Sequence, residues 1–296
     1  MTSKPNTLLV AIDFNDASMV AMKQSYNLAQ LLDYEIILLY VHEQQSFAGG
    51  LFTADQDKQL SAEINQKLED AAADISRNTG IKVTPLARKG KVHATLLKTA
   101  EEYNSQFIFM GTNDAEKTGI LDKNQLGSNT SKVIRQSKVP VISINGEHHY
   151  DGCRSILLPL DLTKDTRQKV THAIRISRLF GSTIKVISVL WSKNDREIKL
   201  QLERQMAQVT KFIRDAKIDC QSQFLEIKEG QKAMVPAILN YAYAEGDIDL
   251  IMIMTQQETR LVEYFIGSAA QQIIRQSKIP VMSIIPKELG FSYYRF

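Results

Sequence analysis

Cysteine is scarce: Cys153 and Cys220 are the only two among 296 residues. Neither lies in a CxxC or Cys/His pattern, which excludes a disulfide framework and a cysteine-built zinc site. The scarcity fits a reducing compartment. Long apolar runs are also missing. Nothing approaches the roughly 18 residues of a membrane span. The N-terminal run "LLVAI" is too short for a signal-peptide core and has no cleavage site after it. The expectation is a soluble cytoplasmic protein without a membrane partner. Charge of one sign is lacking too. The 36 Lys and Arg against 33 Asp and Glu leave +3, too balanced to point to nucleic acid. The five histidines (His42, His93, His148, His149, His172) lack metal-ligand spacing. There is no GxSxG elbow and no GxxxxGK[ST] loop.

What is present is a duplication. "IRQSKVPVISI" (Ile134 to Ile144) returns as "IRQSKIPVMSI" (Ile274 to Ile284). Gly127-Ser128 returns as Gly267-Ser268 and Gly90 as Gly230, all at one offset. "LLVAIDFNDAS" resembles "ILLPLDLTKDT", which matches Asp13 to Asp161. Matches in chain order mean two copies of one domain, much longer than a solenoid repeat. The polar stretch "NGEHHYDGC" divides them into residues 1–147 and 153–296. A hydrophobic content of 44% supplies a core for each.

Strand and helix signals alternate within each copy. "TLLVAID" is a continuous apolar run, as in a strand buried on both faces. Asn15, Asp16 and Ser18 offer helix N-caps. "YEIILLYV", "IKVTPLA", "QFIFMG" and "PVISI" read as further strands, separated by helical patterns. "RKGK" (Arg88 to Lys91) reads as a solvated turn. The alternation argues for an α/β fold of two tandem doubly wound domains, each a five-stranded parallel sheet with helices on both faces. Such folds bind ligands beyond the carboxyl ends of the strands. That directs attention to Asp13, the loop after Val41, Gly90 and the loop starting at Gly111.

Taken together, the strand ending in Asp, the Gly90 turn, the Gly-Ser helix opening and the helix–proline–strand ending resemble universal stress proteins in tandem. The resemblance covers nearly the whole chain. It implies strand order 3-2-1-4-5 and pairing of the two copies through their fifth strands as a pseudo-dimer. It further implies a nucleotide site holding ATP with Mg²⁺, in the first domain only. Asp13 and Val41 would hold the base there. Gly111, Gly127, Ser128 and Asn129 would hold ribose and phosphates. The family's nucleotide loop runs Gly, two residues, Gly, nine residues, then Gly-Ser. Here Asp114 replaces the second glycine, and the spacing to Gly127 is longer. In the second copy Met254 and Gln257 replace both glycines.

The implied function is stress response through ligand-dependent association, with a homodimer as a further partner state. No base stands beside a phosphate, so the expectation is a binding protein and at most a slow ATPase. The alternative is an interaction module of the same fold without nucleotide, using sheet edges and the aromatic tail "GFSYYRF". The plainer reading of the same residues stands beside these. Asp13 can satisfy loop N–H groups, Gly127-Ser128 can start a helix without a ligand, and Gly90 and Gly230 can be turn glycines.

A phosphate loop works through backbone N–H groups and a helix N-terminus. A carboxylate about 4 Å from a phosphate charge costs about 4 kcal/mol at an effective dielectric of 20. Lys117, Lys123 and Lys132 offset part of that. Asp114→Gly should therefore tighten Mg·ATP binding about tenfold by calorimetry. Unchanged or weaker affinity would reject the electrostatic argument.

Overall fold

The computed structural model describes residues 5–43, 54–112, 127–145, 151–160, 166–191, 196–228, 233–255 and 268–284. The first copy contributes β1 (Thr7–Ala11), α1 (Asp16–Leu32), β2 (Glu35–His42), α2 (Ala54–Thr79), β3 (Val83–Lys89), α3 (Val92–Glu102), β4 (Ser105–Gly111), α4 (Ser128–Gln136) and β5 (Val141–Ile144). The second contributes β6 (Ser155–Pro159), α5 (Thr166–Phe180), β7 (Thr183–Trp191), α6 (Arg196–Asp215), β8 (Cys220–Ile227), α7 (Met234–Glu245), β9 (Ile248–Met254), α8 (Ser268–Gln276) and β10 (Val281–Ile284).

Local chemistry sets the boundaries. Asn15 caps α1, its side chain accepting the Ser18 N–H at 2.8 Å. Asp16 and Ser18, the other candidate caps, lie inside the helix. Gly80, at φ 73°, ends α2 in the left-handed conformation that glycine adopts without strain. Leu8, Leu9 and Val10 are fully buried. Leu8 and Val10 enter one core while Leu9 enters the other. Burial on both faces explains why β1 reads as an unbroken apolar run.

The strands form one sheet in the order β3-β2-β1-β4-β5-β10-β9-β6-β7-β8. Each half is parallel and has the order 3-2-1-4-5. The halves meet where β5 and β10 pair antiparallel, with Ile142 opposite Met282 and Ser143 opposite Val281. Helices α1, α2, α5 and α6 contribute to the core on one face, and α3, α4, α7 and α8 to the core on the other. Each core runs through both halves.

The repeated "RQSK" segment has a structural reason. Ser137 Oγ donates to the Val139 carbonyl at 2.7 Å and accepts the Val139 N–H at 3.2 Å. Ser277 makes the same two bonds with Ile279. In each copy this serine turns the chain from the last helix, through proline, into the strand at the seam.

"RKGK" differs from the expected turn. Arg88 and Lys89 close β3, paired in register with Val41 and His42. Arg88 binds both oxygens of Glu102, at 2.7 and 2.8 Å, and the Thr99 hydroxyl. The β2 register carries the strand two residues past the apolar run, and Glu102 at the end of α3 supplies the anion. Gly90 is the turn residue, at φ 147°.

The second half holds its corresponding helix-end glutamate differently. Lys185 sits in β7 opposite Leu157, whereas the first half has Ile37 opposite Leu9. Lys185 is 5% exposed and donates to Glu245 and, at 2.7 Å, to Asp247. Burial pulls the Lys185 pKa down, but the bonds to Asp247 and Glu245 outweigh it and leave it raised. Burial likewise pushes the Asp247 carboxyl up, and Lys185 and Ser155 more than compensate, leaving it lowered.

Lys185→Met should cost about 2 kcal/mol at neutral pH in denaturant unfolding, because both carboxylates lose their cation but can partly rehydrate. Asp247 has a depressed folded pKa. Its stabilisation is therefore present above the unfolded value and lost as pH falls through the folded one. The difference between the two proteins should accordingly shrink in acid, and an acid-independent difference would reject the ion-pair account.

Candidate functional site

Strand order places the candidate residues. In the first half β1 lies between β2 and β4, and the order reverses there. Asp13 follows β1, Val41 lies near the end of β2, and Gly111 ends β4. All three therefore belong to the carboxyl edge of neighbouring strands. Gly127 precedes α4, with Ser128 and Asn129 as its first two residues.

Asp13 is exposed, but its carboxylate already has partners. Oδ1 accepts the Asn15 N–H at 3.0 Å and Oδ2 accepts from Asn15 Nδ2 at 2.7 Å. The Asp13 N–H donates to Ser18 Oγ at 3.3 Å. The plainer reading of Asp13 as a loop anchor thus holds, with lone pairs left over because each oxygen accepts more than one bond.

Between Asp13 and Asn15, Phe14 has φ 63°, an unfavourable conformation for a bulky residue. Its ring stacks on Tyr40, with centroids 6.2 Å apart and planes at 28°. Burial, then the Asp13 charge, raises the Tyr40 hydroxyl's pKa. This Phe14–Tyr40 contact escaped the sequence reading. The aromatic in "DFND" was its only trace, and one sequence does not show its backbone angle.

Gly111 has a role that the spacing argument did not supply. A Cβ on it would lie 2.8 Å from the Ala17 carbonyl carbon and 2.8 Å from the Ser18 nitrogen. The first turn of α1 packs directly on the end of β4. Glycine is required here by helix packing, independent of any anion. In the second half Met254 ends β9 at the corresponding place.

α4 begins without a side-chain cap on Gly127. Among the described residues, no side chain is seen capping its first-turn N–H groups, which are the kind of donors that can meet an anion. Thr130, in the same turn, is fully buried, and its hydroxyl has no hydrogen-bond partner among the described residues. Val41 packs, partly buried, against the core on the α3 and α4 face. Thr112 closes the edge, its N–H and hydroxyl both reaching the Ile144 carbonyl, at 3.0 and 3.2 Å. Thr255 repeats both contacts with Ile284.

Asp114, Lys117 and Lys123 lie outside the described residues, as do Asp161, Gly230, Gln257, Gly267, His148, His149, the loop 44–53 and the tail 290–296. Among the described residues no group of three His, Cys, Asp or Glu could hold a metal ion. No described helix is long and apolar enough to cross a membrane. Two clefts lie elsewhere. One of about 390 Å³ is lined by Lys23, Tyr26, Asn27, Gln30, Thr79 and Asp151. The other, of about 660 Å³, lies at the amino ends of β7 and β8.

The arrangement is that of a doubly wound ligand-binding fold, with its mouth at the strand-order reversal and an uncapped helix start beside it. The chain belongs to the universal stress protein family: the family model matches it twice, over residues 5–145 and 152–284. A universal stress protein of Methanocaldococcus jannaschii, MJ0577, is 27% identical over 154 residues, spanning 46% of this chain and 93% of that protein. A universal stress protein structure from Archaeoglobus fulgidus superposes with TM-score 0.72 at 20% identity, covering 96% of this chain and 97% of the other. A functionally unknown protein from Pseudomonas aeruginosa superposes at 0.66 and 17% identity, covering 96% and 93%. The last two likenesses concern the fold.

Gly111→Ala should lower stability by about 1–3 kcal/mol in the absence of any nucleotide, because backbone atoms of α1 must move. Thermal unfolding checks this, and an unchanged midpoint would remove the packing requirement.

Proposed function

We propose that the chain is a cytoplasmic stress-response protein whose first domain binds an adenine nucleotide and which acts by ligand-dependent association rather than turnover. Asp13 and Val41 face the base. Gly111, Gly127, Ser128 and Asn129 border ribose and phosphates. Mg²⁺ arrives on the nucleotide's own phosphates, in keeping with its habit of few protein ligands. The observation that carries the reading is the uncapped start of α4 on the same half-sheet whose strand-order reversal gathers Asp13, Val41 and Gly111. An anion there would meet the first-turn N–H groups and the positive end of the helix.

The domains that act are residues 1–147 and 153–296, and the second carries no nucleotide. Met254 supports that restriction, since it stands at the β9 position that corresponds to Gly111 and lacks glycine's conformational freedom.

A second reading, an interaction module without nucleotide, draws on the fact that α1 packing alone accounts for Gly111. Calorimetry with Mg·ATP separates the two. The proposal expects one site per chain, weakened about tenfold or more by Ser128→Pro or Asp13→Ala. No heat at millimolar nucleotide would leave the interaction module standing.

A further inference from the structure

Among the described residues, the sheet ends in two edges without a further strand, β3 and β8. Their outward groups follow from the ladders. The Ile36 N–H bonds the Lys82 carbonyl, so Lys82, Thr84, Leu86 and Arg88 point their backbone groups at β2. Val83, Pro85, Ala87 and Lys89 therefore face away. The Ile184 N–H bonds the Asp219 carbonyl, so Gln221, Gln223 and Leu225 face β7. Cys220, Ser222, Phe224 and Glu226 face away.

The two edges are protected unequally. Pro85 pairs with Leu38, the fourth residue of β2, and Ser222 with Val186, the fourth residue of β7. At one structural position, the first half thus has a proline, which cannot donate, and the second an exposed serine with an outward N–H. β3 also ends in Arg88 and Lys89. β8 has no charge from Cys220 to Leu225, and Gln221, Ser222 and Gln223 are exposed. Proline and cations are the usual guards of an edge strand, and β8 has neither among its own residues; Arg214 of α6 reaches only its first outward carbonyl, that of Cys220.

We propose that the β8 edge is an interaction surface for a second copy of this chain, whose own β8 adds antiparallel across a twofold axis at Gln223. In that register Ser222 of each strand exchanges main-chain bonds with Phe224 of the other, and Cys220 lies opposite Glu226. The register is charge-complementary. Arg214 of α6 already donates to the Cys220 carbonyl at 3.0 Å, on the core face that Cys220 shares with Phe224. Glu226 projects to that same face, since residues two apart share a face. Each copy therefore brings Glu226 beside the other's Arg214, twice by symmetry. An isologous contact of this kind closes the assembly at two chains.

The test needs no nucleotide, so its outcome is independent of the ligand reading. Sedimentation of the full chain over a concentration series should show a monomer–dimer equilibrium. Ser222→Pro, copying the guarded edge, should weaken it about tenfold or more. Gln223→Lys, which sets two cations face to face across the axis, should do the same while leaving the exposed site folded. Ala87→Lys on β3 should change nothing. Hydrogen exchange at the Ser222 and Phe224 amides should slow as concentration rises. A monomer up to about 1 mM, a dimer indifferent to Gln223→Lys, or an extended peptide along β8 without dimer would each overturn the proposal. If Ser222→Pro fails to fold, Gln223→Lys decides.

Discussion

Everything in this molecule hangs on the antiparallel meeting of β5 and β10. Three residue pairs join what would otherwise be two sheets, each with an exposed inner edge. Joining them lets each core continue across both halves. The seam is not built from apolar contact alone. Ser143 donates to the Val281 carbonyl at 3.2 Å, and Asn145 reaches across to the Arg275 carbonyl. The Ser283 hydroxyl, buried at the same seam, finds no partner among the described residues. The seam therefore carries an internal asymmetry although the two strands are copies.

The sequence is most alike between the copies where the structure is most demanding. The "IRQSK-x-P" segment delivers each fifth strand to the seam through a serine that bonds across the turn. Away from the seam the copies diverge while keeping one task. Glu102 and Glu245 both end the helix that precedes the fourth strand of their half. One is anchored by Arg88 on the edge strand, the other by Lys185 from within the sheet. A glutamate at a helix C-terminus is unfavourable with the helix dipole, and each copy supplies a cation by its own route.

Much of the fold was legible in the residues. The duplication, the strand–helix alternation and the doubly wound class all follow from runs such as "TLLVAI" and from repeated motifs. The same is true of the carboxyl-edge location of Asp13, Val41 and Gly111. The site was legible in position more than in cause. Gly111 reads from spacing as a residue for phosphate, yet the close approach of Ala17 and Ser18 already requires it. That contact joins residues far apart in the chain, and no local pattern encodes it. Phe14 on Tyr40 and Lys185 on Asp247 escaped for the same reason. Arg88 misled because charges beside a glycine resemble a turn, whereas the register with β2 extends the strand beneath them.

Because β5 and β10 run antiparallel, the carboxyl edges of the two halves face opposite directions. The two mouths open on opposite sides of the sheet, and the halves are joined by the β5–β10 pairs, the side-chain bonds across them and the cores that run through both. Such a molecule can lose chemistry on one side without harm to the opposite side. Gly111 and Met254, at the ends of corresponding strands, therefore stand at opposite edges of the sheet. Duplication here yields one continuous scaffold with a carboxyl edge on each of two opposite sides.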